Sequence, residues 1–225
     1  MFTGHYSASF AGRAVDRTIP LWVLFVAVQL LDFIWAILVL LGIEHVRIVP
    51  GFMAASAVDL YDMPYTHSLL GALVWSILGG TLFCVLWKRA WTAGLIVGLA
   101  VFSHWILDLV VHGPDLVIYG SHKMGFGLWN YFWPEFALEC ALLLGTILWY
   151  LRGVSSHVTK RRAWNLFAIL IAFQCIDKFG PPPSGVKQFA VSALVAYTLL
   201  AAFAAWVEQR EITPGVSQGI PGALH

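Results

Sequence analysis

Charge is scarce in this chain. Lys, Arg, Asp and Glu make up 11% of its 225 residues, against 60% hydrophobic residues, and no soluble domain of this size could cover itself with so little polar surface. The solvent for most of the chain is therefore expected to be lipid. An excess of one sign is also missing. The formal net charge is +1, which excludes a basic face for nucleic acid and a strongly acidic partner. Paired cysteines are absent: Cys84, Cys140 and Cys175 lie inside apolar runs, without the spacing of a disulfide framework or a zinc ribbon. They read as small buried hydrophobes. No internal repeat or inverted pair of halves is present, which counts against the commonest transporter plans. The first apolar run, 19–42, is longer than a signal-peptide core and no small-residue cleavage pattern follows it. It is expected to stay as a membrane helix.

What is present is a series of long apolar runs. Crossing roughly 30 Å of hydrocarbon takes about 20 residues, and runs of that order occur at 19–42, 67–87, 91–111, 134–151, 163–179 and 186–207. The expected fold is all-α: an integral membrane bundle of about six transmembrane helices in one domain, 1–210, with loops at 43–66 and 113–133 and a disordered cytoplasmic tail at 211–225. Arg13, Arg17, Lys88, Arg89, Arg152, Lys160, Arg161, Arg162 and Arg210 fall on one side, against Arg47, Lys123, Lys178 and Lys187 on the other. The positive-inside rule makes the first side cytoplasmic and turns the two long loops outward. Trp22, Trp87, Trp91, Trp149, Trp164 and Trp206 sit near the cytoplasmic ends, as an interfacial belt would. Before the first run, GHYSASFAGRAVD carries small residues at Ala8, Ala11 and Gly12. It reads as a short helix dipping into the membrane with His5 at its buried end.

Ionisable side chains inside spans are costly and mark function. Counting about 1.5 Å per residue from the cytoplasmic end of each helix puts His5, Asp32, His104, Glu139 and Asp177 roughly 18–21 Å up, Glu135 and Asp108 near 25–27 Å, and His67 near 30 Å. Private hydrogen bonds could satisfy each separately, but one shared polar cavity in the outer half of the bilayer explains the set better. The sharpest local pattern is SHWILDLVVHGPD, where His104, Asp108 and His112 fall at i, i+4 and i+8 on one helical face. A His and an Asp one turn apart can grip one cation from a rigid element. His112, nearer the surface, could instead line the entrance. In DMPYTHSLL, Pro64 and Thr66 read as a helix start with His67 on the first turn. Backbone N–H groups there would suit an anion such as a phosphate. Asp62, just before, is a candidate general base or partner to a ligand, or simply a solvated carboxylate. Glu44 and His45 read as surface residues.

Gly4-His5, Asp32, Thr66-His67-Ser68 and Ser103-His104 with Asp108 occur in the order in which this sequence resembles the LexA-regulated inner-membrane metal-dependent hydrolases of bacteria, over roughly residues 1–135. That family is itself distantly similar to zinc-dependent phospholipase C. The resemblance implies location in a bacterial inner membrane, zinc and a phosphate-ester substrate. Two departures stand out. Asp32 is alone where the family often has Pro-Asp-x-Asp-His, and Met63, Pro64 and Tyr65 occupy a stretch where it often has His-Arg. Glu135 and Glu139, one turn apart, could supply missing carboxylates; His122 is a further neighbour of the outer loops.

The expected function is a membrane-embedded hydrolase of a lipid-linked or phosphate ester. A divalent ion, zinc by type, would be held by His5, Asp32, His67, His104, Asp108 and His112, and Asp62 or Glu139 would take the proton of an activated water. Membrane lipid is the expected partner. Two other classes fit the same residues: a proton- or metal-coupled permease using Asp177 beside Lys178, and a scaffold that keeps a structural metal without turnover.

Overall fold

Proline, serine and glycine set the helix boundaries. The structure, a computed structural model, describes residues 1–119 and 121–209. A 3-10 turn at Thr3–His5 leads into α1 (Tyr6–Val15), followed by α2 (Leu21–Val28) and α3 (Leu30–Leu40). After β1 (His45–Ile48) and β2 (Val58–Asp62) come α4 (Leu69–Trp87) and α5 (Trp91–Val111). Then follow β3 (Leu116–Tyr119), β4 (His122–Met124), α6 (Phe132–Arg152), α7 (His157–Phe179) and α8 (Val186–Val207). Pro20 immediately precedes α2, where a missing N–H is harmless. Ser68 and Ser156 cap α4 and α7 by accepting from Gly71 N and Thr159 N.

Four helices, α4, α5, α6 and α8, are long and apolar enough to cross a membrane, and the pair α2 and α3 makes a fifth if taken as one span bent by 49°. The continuous first helix expected over 19–42 is therefore broken. The joint is Gln29, whose φ −106° and ψ 8° leave the helical region. The sixth expected span, α7, is long enough at 23 residues, but Lys160, Arg161, Arg162, Asp177 and Lys178 crowd its ends, and it is not among the apolar spans. The all-α class fits, with two short hairpins in the loops. The 43–66 and 113–133 stretches fold into two antiparallel hairpins, β1–β2 and β3–β4. Each hairpin pairs backbone groups that would otherwise be stranded near an apolar medium. The expected tail at 211–225, and Arg210, lie outside the described residues.

α1 packs against α6 and α2 rather than on the surface, and Tyr6, Ser7, Ser9 and Phe10 are buried. Its far end is tied down: Arg13 Nε and Leu21 N both donate to Glu208 at the end of α8. Leu70, Ile77, Leu82 and Val85 of α4 are more than half exposed, an apolar face matched to acyl chains. The closest helix pair is α4 with α5, which meet through Ser76, Gly80, Gly94 and Gly98. A Cβ on Gly80 would stand 2.4 Å from Gly94 O, so small residues are what permit this approach.

Overpacking of this kind costs about 1–3 kcal/mol. Gly80→Leu should lower the thermal midpoint of the detergent-purified protein by several degrees. Gly145→Leu, on the open face of α6 with nothing within 4 Å, should leave it within about a degree.

Candidate metal centre

α5 supplies the centre's floor. His104 and Asp108 lie one turn apart and project into the bundle, and both are almost wholly buried. The bend at Gln29 turns α3 so that Asp32, in its first turn, faces them from one side. The turn before α4 brings His67 from the other. His67 precedes the helix, which begins at Leu69 behind its Ser68 cap; the expected first-turn position is thus two residues early. Its carbonyl accepts from Trp105 Nε1 at 3.0 Å, which pulls the turn inward.

The donor atoms converge. His67 Nε2 stands 3.3 Å from Asp32 Oδ1 and 3.6 Å from Asp108 Oδ2; His104 Nε2 stands 3.4 Å and 3.1 Å from the same two oxygens. Donors held about 2.0–2.2 Å from a tetrahedral zinc ion are about 3.3–3.6 Å apart. Asp108 Oδ1 points to a second set: Met1 N at 2.7 Å, His5 Nε2 at 3.2 Å and His112 Nε2 at 3.8 Å. Two groupings could hold an ion, Asp32 with His67 and His104, and His5 with His104 and Asp108. The His5 and His104 rings stack at 3.7 Å.

Ring orientation decides which nitrogens are free. His104 Nδ1 is 2.7 Å from Val28 O, the last carbonyl of α2 before the break. His67 Nδ1 meets Thr66 Oγ1 at 2.8 Å, and Thr66 Oγ1 in turn donates to Glu44 Oε2 at 2.7 Å. His112 Nδ1 meets Asp115 Oδ1 at 3.0 Å. In each ring, Nδ1–H has an acceptor, so Nε2 presents its lone pair to the carboxylates. This is the arrangement that metal-binding histidines use. His104 Nε2 and both nitrogens of His5 are buried without a hydrogen-bond partner, and lone pairs crowded against carboxylates need a positive charge, a metal ion or a proton, between them. The residues fit a divalent ion.

The structure thus brings together five of the six expected ligands, His5, Asp32, His67, His104 and Asp108, with His112 beside them on the wall of the adjoining cavity. It does not bring in the two expected bases. Asp62 is 45% exposed on β2 and bonds to His45 Nδ1 at 2.7 Å. Glu139 is fully buried, but its Oε2 accepts from Gly4 N at 2.7 Å and from Thr3 Oγ1 at 3.4 Å. It holds the turn that presents His5. Glu135 and Glu139 flank Lys178 Nζ at 2.9 Å and 3.8 Å. His122 is exposed on β4 against Tyr119.

Glu44 corrects the sequence reading most. Expected at the surface, it is 1% exposed and accepts from Tyr65 N, Thr66 N and Thr66 Oγ1. Its signal was a carboxylate at the end of an apolar run, indistinguishable from an interfacial charge. Asp32 has a similar support: Tyr197 OH donates to its Oδ2 at 2.8 Å.

No family model, curated protein or solved structure matches this chain.

Purified protein should carry stoichiometric transition metal by elemental analysis, lost in His104→Ala and His67→Ala. Thr66→Val, which breaks the relay without removing a ligand, should weaken metal affinity by about 10–100-fold in chelator competition. Glu139→Leu should weaken it through the loosened His5 turn, while Asp62→Asn, on a carboxylate that faces His45 and not the centre, should not alter it.

Proposed function

We propose that this chain is a membrane-embedded metal-dependent hydrolase of a lipid-linked or phosphate ester. The observation that carries the reading is the convergence of His67 and His104 Nε2 on Asp32 and Asp108 within 3.1–3.6 Å, with each Nδ1 already engaged. Two imidazoles and two carboxylates are a donor set that suits Zn²⁺. When bound, such an ion supplies Lewis acidity toward a phosphoryl or carbonyl oxygen and a water acidic near neutral pH. The resemblance of the Thr-His-Ser and Ser-His-x3-Asp segments to bacterial inner-membrane hydrolases supports the same class, as does the basic side that would be cytoplasmic.

The chain's own residues do the rest. His67 and His104 would hold the ion, their rings locked by Glu44 through Thr66 and by Val28 O. Asp32 has one oxygen toward the histidines and another toward Tyr197, and it lines the cavity beside the centre. It would be one of the two carboxylates that hold the ion, its orientation fixed by the Tyr197 hydroxyl. The cavity encloses about 870 Å³, room for a head group and part of a chain. A cation held without any turnover of esters would favour the scaffold reading instead.

Ester hydrolysis by the purified protein should be abolished by a chelator and restored by Zn²⁺. Asp108→Asn should lower kcat/KM by at least about 10³-fold, and Tyr197→Phe, which frees Asp32 Oδ2, by about 10-fold. Full activity of the metal-free protein would overturn the reading.

A further inference from the structure

The cavity beside the metal centre does not end in the protein interior. Along α8 it is lined by Gln188, Ser192 and Ala196 at i, i+4 and i+8, with Phe189, Ala193 and Tyr197 one position on. These six make a single helical face about 13 Å long. Its deep end is Tyr197, whose hydroxyl donates to Asp32. Its other end reaches the outside: Ser192 and Gln188 are exposed, and so is Ile176, 67% accessible, on the facing wall from α7. One side of the opening therefore lies in the seam between α7 and α8, and Pro50, Gly51 and Ala54 of the loop between β1 and β2 border another. The opening is flanked on α8 by Val191 and Val195, each at least half exposed, on one of the helices apolar enough to span a membrane. Pro181, Pro182 and Pro183 form its rim, and prolines offer no N–H that an apolar medium would leave unsatisfied.

The passage is amphipathic. Asp32, His67, Asp108 and His112 gather at its deep end, Phe173, Ile176, Phe189, Ala193 and Ala196 give the way in an apolar side, and Gln188, Ser192, Asp177 and Lys178 add polar groups along it. A water-borne substrate needs no apolar passage through a helix seam; an amphiphile does. We infer that the α7–α8 seam is a lateral port through which a membrane amphiphile with an anionic phosphate head and a long alkyl chain enters from the bilayer. Its head meets the metal centre and its chain lies along the Gln188–Ala196 face of α8. This rests on the metal-centre reading for the head group; the chain's seat rests on the cavity alone.

The test is photolabelling of the full-length, metal-loaded protein in nanodiscs with a hexadecyl phosphate carrying a mid-chain diazirine, mapped by peptide mass spectrometry. Label concentrated on Ser192, Ala193 and Ala196, competed by unlabelled hexadecyl phosphate and weakened about four-fold for each methylene removed from the competitor, is the expected result. Competition by inorganic phosphate equal to that by hexadecyl phosphate would overturn the proposal. So would label spread evenly over the exposed faces of α4 and α8. Ala196→Trp should abolish label on α8 while metal content is retained. Should that variant fail to fold, the chain-length series on the wild type decides alone. Label that stays on α8 but is indifferent to chelator would sink the metal-centre reading and the head-group half of the proposal, leaving the chain seat standing.

Discussion

A buried carboxylate organises this bundle. Asp108 is 2% exposed, and an isolated ionised carboxylate in such an interior would be prohibitive. Its surroundings are arranged to offset that cost. One oxygen faces His67 and His104, and the other faces His5, His112 and the amino group of Met1. These partners come from α5, from the turn before α4 and from the N-terminal turn. Removing any one leaves the charge less compensated, so the segments are energetically coupled through this residue.

The departures from regular structure serve the same end. A straight helix through 21–40 would carry Asp32 along the axis of α2; the bend at Gln29 re-aims it and places Val28 O at His104 Nδ1. The buried Gln29 amide also donates to Phe2 O, fastening the N-terminal turn to the joint. On the opposite side, Glu139 and Gln174 grip the backbone and hydroxyl of the same turn. His5 is therefore fixed from two directions, by groups that never touch the carboxylates it faces. Such outer contacts set ligand orientation as firmly as the ligands themselves.

Much of this was legible in the sequence. Apolar runs located the helices, and intramembrane His and Asp residues located the cluster, because lipid leaves few other reasons for them. Hydropathy carries no information about ring rotation, hairpins or helix breaks. Gln29 is a single amide within an apolar run, which marks no joint, and Glu44 at the end of that run reads as a surface charge. Counting height along straight helices also separated His67 from His104 by roughly 10 Å, yet both meet the same carboxylates. The ruler failed because His67 lies before its helix, in a turn drawn inward by Trp105. Glu139 was expected as a base near the right level and Asp62 as one just before the His67 turn, and neither level nor sequence position says which neighbour a carboxylate faces.

The helix that hydropathy rejects is the one that explains the cavity. α7 is too polar to rank with the apolar spans, but Gln174 and Lys178 on it are buried within the bundle, while Ile176 and Phe179 face outward. Over its outer end the polar residues point inward and the apolar ones outward, the reverse of a soluble amphipathic helix, while Ala163, Leu166 and Leu170 fill the bundle further down. That inversion is what a wall between lipid and a polar chamber requires. Two of the charges that remove α7 from the spans, Asp177 and Lys178, line the cavity beside the metal centre. A mean over eighteen residues cannot separate a helix unfit for the bilayer from one whose polarity is turned to the inside, and only the neighbours of each side chain make that distinction.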